Sequence, residues 1–191
     1  MIMASNSHKL HQEGVKLFRA GKHEAALAKF QAALESESDP KHLAEIYNDI
    51  GVTHRELEDH PAAYLALNEA MTRFTQLGDK KGQAQTLGNR AAVYEAEGLT
   101  EEAVEAYKQS ATMFEELGES EMAMYVWQAV SRLRMKQGQY IAAIGAYEEG
   151  VDNMPPSSFK AKVLRQILKA PGSLLGGGGS NPQLEGEEDE E

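Results

Sequence analysis

The sequence repeats itself along most of its length, with a period of roughly 37–40 residues. The segment Gly14–Leu34 returns at Ala91–Ala111 and Ser131–Val151, and in a weaker form at Gly51–Met71, with the same order of small, large and charged positions. Repeats of this size are typical of stacked arrays, in which each unit packs only against its neighbours. The repetition therefore predicts an elongated array rather than a single compact core.

Each copy predicts two helices joined by a tight turn. Gly21, Gly98 and Gly138 follow the first helix of three copies, and glycine suits the left-handed conformation that closes a helix. The second copy has Glu58 to Pro61 instead, and Pro61 is tolerated at the start of the next helix. We expect eight repeat helices, near residues 7–20, 23–37, 40–57, 60–77, 80–97, 100–117, 120–137 and 140–153.

Three helix starts carry capping signals. Asp39 followed by Pro40 predicts an N-cap and a proline in the first helical position. Thr100 and Ser120 are each followed by acidic residues, which predicts N-caps with negative charge near the positive end of the helix dipole.

The second helix of every copy carries a small residue, a large residue four positions later and another small residue three positions further. This spacing keeps all three on one helix face, where small residues let two helices approach and the large residue fills the space beside them. The triplets are Ala26, Phe30 and Ala33; Ala63, Leu67 and Ala70; Ala103, Tyr107 and Ser110; Ala143, Tyr147 and Gly150. The matching small positions of the first helices are Gly14, Gly51, Ala91 and Ser131.

These positions resemble the tetratricopeptide repeat family, in its long-helix variety with units of roughly 40 residues. The fourth copy supplies Trp127, Gly138, Tyr140, Ala143, Tyr147 and Pro155, and the first supplies Leu10, Gly14, Gly21, Ala26, Phe30 and Ala33. Tyr47 and Leu87 stand where the family prefers Trp. The resemblance implies an all-α fold, a right-handed superhelix of four two-helix repeats plus a C-terminal capping helix.

The predicted organisation is an array over residues 1–155, with repeats near 7–40, 44–77, 84–117 and 124–155. Residues 157–170 predict an amphipathic helix that caps the open core, or alternatively a basic helix that docks on a membrane or partner. Residues 171–191 are rich in glycine and acidic residues, which predicts a disordered tail. This tail is either solubilising, or a tether that engages a basic partner or folds back onto Lys160–Lys169.

Several classes of protein are disfavoured. The chain has no cysteine and no apolar run long enough for a membrane span, and residues 1–9 lack the apolar segment of a signal peptide, so we expect a cytoplasmic protein. The net charge of −11 opposes nucleic-acid binding. His8 and His11 share a helix face, and Glu45 or Asp49 could complete a metal site, but no metal motif is present. We therefore expect no metal, no cofactor, no catalytic residues and no enzymatic activity.

In the tetratricopeptide repeat family the first helix of each pair lines a concave groove that binds proteins or peptides. Mapped onto this sequence, the resemblance implies a groove rich in amides, with acids towards the middle. Asparagine side chains can pair with the backbone of an extended peptide, and we expect a ligand of some basic character, with Arg132 taking an acidic group or C-terminus. The implied groove residues are His11, Gln12, Val15, Glu45, Asn48, Asp49, Val52, Gln85, Asn89, Ala92, Tyr125, Gln128, Arg132 and Met135.

The carboxylate clamp of chaperone-binding family members is broken. Asn89 fits one of its places, but Asn48, Val52, Tyr125 and Ala129 stand where the clamp requires Lys, Asn, Lys and Arg. We expect no binding to chaperone tails that end in Glu-Glu-Val-Asp.

The predicted function is a non-enzymatic scaffold or adaptor that binds a segment of another protein in its concave groove. One alternative is a regulatory protein that senses a short peptide and changes superhelical pitch. Another is an assembly factor or self-associating structural module, with Tyr125, Trp127 or the stripe around Phe159 as its interface. The sequence does not define the oligomeric state.

Overall fold

The computed structural model describes residues 2–154, together with 157, 158, 162 and 165, and side chains from residue 6 onward. These residues form helices and turns with no strand, which confirms the all-α prediction. The repeat period is 40 residues, because alternate helices begin at Pro40, Lys80 and Ser120. The helices are α1 (Ile2–Arg19), α2 (His23–Glu35), α3 (Pro40–Glu56), α4 (His60–Gln76), α5 (Lys80–Ala96), α6 (Thr100–Glu116), α7 (Ser120–Lys136) and α8 (Tyr140–Asp152).

The predicted helix limits hold except at the start of the chain. Helix α1 begins at Ile2, well before the predicted start at residue 7. The Ser7 hydroxyl donates to the carbonyl oxygen of Ala33, 3.0 Å away. Ser7 is fully buried. Its hydrogen bond therefore ties α1 to α2 within the first repeat.

Six of the seven turns between the eight helices contain one residue with a positive φ angle. Gly21 and Gly98 adopt φ angles of 71° and 78°, in the left-handed region where side chains are disfavoured. Glu58 takes the same conformation, with φ of 59°, at the one turn of the second repeat that lacks glycine. The second repeat therefore turns in the same way as the others, and Glu58 carries the backbone strain that glycine avoids elsewhere.

Aspartate caps account for three helix starts. Asp39 accepts a hydrogen bond from the backbone N–H of His42 at 2.7 Å, as predicted, and Pro40 is the first residue of α3. Asp59 and Asp79 cap α4 and α5 in the same way. Each carboxylate satisfies a backbone donor that the helix itself leaves unpaired.

The capping predictions for Thr100 and Ser120 were wrong. Both residues are the first residues of their helices, so the capping positions are Leu99 and Glu119, and neither makes a side-chain capping bond. The Thr100 hydroxyl donates instead to the carbonyl oxygen of Gly98, two residues earlier in the chain.

The alternation of small and large residues places the helices in close contact. The first small residue of each triplet is buried, and so are Phe30 and Leu67, the large residues of the first two triplets. A Cβ atom on Gly14 would lie 2.5 Å from the Phe30 ring, and one on Gly51 would lie 2.5 Å from Leu67 Cγ. These separations are well inside van der Waals contact, so the first and second helices of these repeats pack at a distance that only glycine permits.

The helices pack in pairs that stack along the chain. Helices α1 and α2, α3 and α4, α5 and α6, and α7 and α8 form the pairs, and each second helix also packs on the first helix of the following pair. Helix α3 contacts both α1 and α5 directly. The first helices therefore share one side of the superhelix, and this side carries the concave surface.

The predicted C-terminal helix at 157–170 and the tail at 171–191 fall almost entirely outside the described residues. Among those described, the Lys162 amide donates to the Ser158 carbonyl oxygen at 3.0 Å. The Arg165 guanidinium donates to the carbonyl oxygens of Val151 and Met154, at 3.0 and 2.9 Å. Arg165 thus satisfies carbonyl groups that the end of α8 leaves open.

None of the described helices combines the length and apolar character needed to cross a bilayer.

Candidate functional site

The first helices enclose a concave groove of about 1270 Å³. Its walls come mainly from α3, α5 and α7, and His11 of α1 lies at one end. The structure brings nine of the predicted residues to this groove: His11, Glu45, Asn48, Asp49, Gln85, Asn89, Ala92, Tyr125 and Arg132.

Five predicted residues do not line the groove: Gln12, Val15, Val52, Gln128 and Met135. Val15 packs against the apolar cluster between α1 and α2. Gln12 is exposed, but it follows His11 directly, and successive residues point roughly 100° apart around a helix. These positions therefore lie on neighbouring faces of the correct helices.

The sequence reasoning missed charged residues at the ends of the first helices. Arg55, Glu56, Glu95 and Lys136 all line the groove. Glu95 lies three positions after Ala92, and Lys136 lies four after Arg132, so both continue a face that was already identified. Extending each predicted set of groove residues by one helical turn towards the C-terminus of its helix would have included them.

Two asparagines join the second and third repeats across the groove floor. The Asn89 amide nitrogen donates to the Asn48 side-chain oxygen at 3.0 Å, and the Thr86 hydroxyl donates to the same oxygen at 3.2 Å. The Asn48 amide nitrogen and the Asn89 side-chain oxygen are not used in these bonds. Because an amide has two donors and an acceptor, the pair offers a donor and an acceptor to the groove.

Glu95 organises the charges of the third and fourth repeats. Its carboxylate accepts a hydrogen bond from Arg132 at 2.7 Å and another from Lys136 at 3.4 Å. It also lies 3.4 Å from the Tyr107 hydroxyl. Burial, together with the negative charge of Glu95, raises the pKa of Tyr107 to about 12, so this hydroxyl stays protonated and donates.

The charge balance of the groove is negative. Arg55, Arg132 and Lys136 are its arginine and lysine side chains, and each pairs with a glutamate of the groove itself. The groove also carries Glu45 and Glu58, which form no ion pair among the described residues. A ligand entering the groove therefore meets uncompensated carboxylates, while the cations already have partners.

Aromatic side chains in the fourth repeat differ sharply in exposure. Tyr125 lines the groove and is 71% exposed. Trp127 is buried at 9% exposure and donates its indole N–H to Glu115. The suggestion that Trp127 forms an exposed interface was therefore wrong, because its ring belongs to the core. Phe159 lies outside the described residues.

The one serine that lines the groove is not placed as a nucleophile. Ser110 is fully buried, and its hydroxyl donates to the Ala84 carbonyl oxygen at 2.8 Å. This bond ties α6 to α5, so the hydroxyl has a structural role.

Away from the groove centre, one group of side chains places possible metal ligands together. Within the described part of the chain, ligand atoms of His8, Glu37 and His42 all lie within 4.8 Å of one another. The candidate metal ligands considered from the sequence were His8 and His11 with Glu45 or Asp49, whereas the structure groups His8 with Glu37 and His42.

Stacked two-helix units of 40 residues, interlocked by small and large residues and with a polar concave face, define a helical repeat protein of the tetratricopeptide type. Within that class, the chain belongs to the soluble NSF attachment protein (SNAP) family, whose family model matches residues 1–169. A search of curated proteins found no significant match.

Solved structures of similar fold support the class. The chain resembles the crystal structure of MamA with a TM-score of 0.59 and 18% identity, covering 84% of this chain and 81% of that one. It resembles BtubC (BKLC) from P. vanneervenii with a TM-score of 0.67 and 14% identity, covering 99% and 88%. A tetratricopeptide repeat protein from Parabacteroides merdae ATCC 43184 aligns with a TM-score of 0.54 and 20% identity, over 86% and 59%. At these identities the likeness concerns the fold alone.

Proposed function

We propose that this protein is a non-enzymatic scaffold or adaptor that holds a segment of a partner protein in its concave groove. The observation that carries the proposal is the paired amide arrangement of Asn48 and Asn89 on the floor of a groove of about 1270 Å³. Repeat arrays use extended concave surfaces of this kind to bind partners. The SNAP family is itself named for attachment to NSF.

The amide pair suits the backbone of a peptide. The hydrogen bonds from Asn89 and Thr86 fix the Asn48 side chain. The remaining donor on Asn48 and the remaining acceptor on Asn89 are therefore already oriented. A peptide that pairs with them gains hydrogen bonds without ordering flexible side chains, which reduces the entropic cost of binding. The ligand is therefore a segment with an accessible backbone.

The charges of the groove select a basic ligand. Glu45 and Glu58 are unpaired within the described residues and provide partners for Lys or Arg. Arg132 was expected to take an acidic group, but Glu95 already holds it at 2.7 Å. An acidic ligand would have to replace this ion pair, whereas a basic one meets free carboxylates.

Tyr125 provides an apolar contact beside these polar groups. Its ring is 71% exposed on the groove wall. Tyrosine is enriched among the residues that dominate binding energy at protein interfaces, because its rigid ring buries a large area at low entropic cost. The proposal assigns Tyr125 the role of anchor for an apolar side chain of the partner segment.

The test is selection from a random peptide library on the full chain, followed by fluorescence anisotropy with the selected peptides. We expect enrichment of Lys and Arg together with an aromatic or aliphatic residue. Tyr125→Ala and Asn89→Ala should each weaken binding by about tenfold, which corresponds to the loss of one good contact.

Matched controls lie outside the groove. Tyr140 is 63% exposed on α8, and Asn68 is exposed on α4, and both are absent from the groove. Tyr140→Ala and Asn68→Ala should leave the affinity unchanged. Selected peptides that bind all four variants equally would place the binding surface elsewhere, and failure to select any peptide would remove the proposal.

A further inference from the structure

A chain of hydrogen bonds runs through the histidines at the N-terminal end of the array. Glu37 lies in the loop between α2 and α3, and its carboxylate bonds to Nδ1 of His42. Nε2 of His42 lies 2.9 Å from Nδ1 of His11, and Nε2 of His11 lies 2.8 Å from a carboxylate oxygen of Asp49. His8 stacks on His42, with ring centroids 3.8 Å apart.

Counting the protons of this chain shows that it needs one proton more than two neutral imidazole rings carry. An ionised carboxylate only accepts hydrogen bonds, so His42 Nδ1 and His11 Nε2 must both carry protons. The two facing nitrogens, His42 Nε2 and His11 Nδ1, then need one further proton between them. The pair of rings holds three protons in total, and therefore one positive charge, against the carboxylates of Glu37 and Asp49.

Glu37 is held in place for a ligand role. One of its oxygens accepts the backbone N–H groups of Ser38 and Asp39, at 2.7 and 2.8 Å, which leaves the other directed at His42. Burial opposes ionisation of Glu37, but these backbone bonds and the bond to His42 outweigh it and hold its pKa at about 2. The Glu37 side chain is fully buried, and His42 is 4% exposed.

We propose that His8, Glu37 and His42 bind a divalent transition-metal ion of the Zn²⁺ type, with water as the fourth ligand. The ion takes the place of the proton on His42 Nδ1, between that nitrogen and the Glu37 oxygen to which it now bonds. His42 Nε2–H then donates to His11 Nδ1, and His11 Nε2–H donates to Asp49, so every donor has an acceptor and no extra proton is needed.

The donor set and its surroundings fit this ion. Two imidazoles and one carboxylate are ligands that zinc accepts, in an open tetrahedral site. Metal-binding histidines usually donate their other ring N–H to a neighbouring acceptor, which orients the ring, and His11 with Asp49 provides that support for His42. His8 is exposed, so its ring can leave the stack on His42 and supply the adjustment that shortens the present separations.

The experiment is calorimetric titration of Zn²⁺ into the metal-stripped full chain. We expect one tight site per chain, and a rise in Tm on adding Zn²⁺, because the ligands join α1 to the loop before α3. His42→Gln should abolish the tight site. Because His42 is buried, the decisive variant is His8→Gln, which removes an exposed ligand without opening the core and should weaken the tight site by at least about tenfold.

The acidic residues near the C-terminus remain in every variant, so weak binding to surface carboxylates is the same in all titrations. His60→Gln serves as the control, because His60 lies on α4 and away from the three proposed ligands, and it should leave the tight site intact. Weak binding only, or equal binding by the wild type and His8→Gln, would overturn the proposal.

Discussion

The Asn89 side chain donates to the side-chain oxygen of Asn48 across 3.0 Å, and this bond links the first helices of the second and third repeats. Repeat arrays derive stability from contacts between neighbouring units. The bond therefore contributes to the interface between repeats as well as to the shape of the groove.

Asn48→Ala should reduce the free energy of unfolding by about 1 kcal/mol, because Asn89 and Thr86 both lose their acceptor. Urea denaturation of the variant and wild type measures the difference. Asn68→Ala is the control, since Asn68 is exposed on α4, and it should change stability by less than about 0.5 kcal/mol. Equal stability of Asn48→Ala and wild type would show that water replaces the lost bonds.

Glu58→Gly should stabilise the protein by about 1 kcal/mol, because it relieves a left-handed backbone with φ of 59°. Asn tolerates this conformation better than Ala, so the order of stability should be Gly, then Asn, then Ala. Gly98→Ala gives the reverse test: its φ is 78° and an added Cβ would contact nothing within 4 Å, so any loss measures backbone strain alone. If Glu58→Gly lowers the stability instead, the contacts of the glutamate side chain contribute more to stability than the strained backbone costs.

Gly51→Ala and Gly145→Ala should have opposite effects, although both residues lie within helices. A Cβ on Gly51 would lie 2.5 Å from Leu67 Cγ and 3.2 Å from a backbone oxygen of Ala63, so we expect a loss of about 1–3 kcal/mol. A Cβ on Gly145 meets nothing within 4 Å, so helix propensity should add up to about 1 kcal/mol. Thermal and urea denaturation of both variants test the pair, and a neutral Gly51→Ala would contradict the close packing of α3 and α4.

Asp79 should make stability depend on acidic pH. The hydrogen bond from the Gly82 amide is the main cause that lowers the pKa of Asp79, and Lys41 contributes. The pKa of Asp79 in the folded protein therefore lies below the ordinary value of about 3.9. A lowered pKa stabilises the folded protein above the unfolded-state value, and this contribution is lost as the pH falls through the folded-state value. Asp79→Asn keeps a capping oxygen but has no charge. The advantage of wild type over Asp79→Asn should therefore shrink as the pH falls below about 4, and a constant difference would show that the charge does not matter.

Glu95→Gln should change the ligand preference of the groove. The substitution removes the charge that pairs with Arg132 and Lys136, so both cations become available. Peptides rich in Asp and Glu should then gain affinity relative to basic ones, by about tenfold for one new ion pair of moderate strength. Anisotropy titrations at low and high salt measure this, because the effect should weaken as salt screens the charges. Glu102→Gln, on the exposed face of α6, is the matched control and should leave the preference unchanged.

Much of the fold could be predicted because its signals are local. The glycine turns and the Asp39–Pro40 start fixed seven helices to within about two residues, within the usual uncertainty of helix ends. The start of α1 at Ile2 was missed, because the repeat pattern on which the prediction rested begins only at about residue 7. Thr100 and Ser120 misled the capping prediction, since capping depends on a backbone conformation that residue type alone does not determine.

The site was less accessible to sequence reasoning because it depends on which residues meet between repeats. The groove face followed from the resemblance, but the pairing of Arg132 with Glu95 joins residues of different repeats and reverses the expected role of that arginine. The cluster of His8, Glu37 and His42 is assembled from two helices and a loop. Spacing along one helix, on which the earlier expectation about His8 rested, could not reveal it.

The regular spacing of the helices makes the array extensible. Helices α3 to α7 are each 17 residues long, and successive starts fall at Pro40, His60, Lys80, Thr100 and Ser120. Duplicating residues 80–119 would therefore insert one more unit whose ends match both neighbours. A longer array can therefore arise by internal duplication, because the added unit would use the same contacts between repeats that the protein already has.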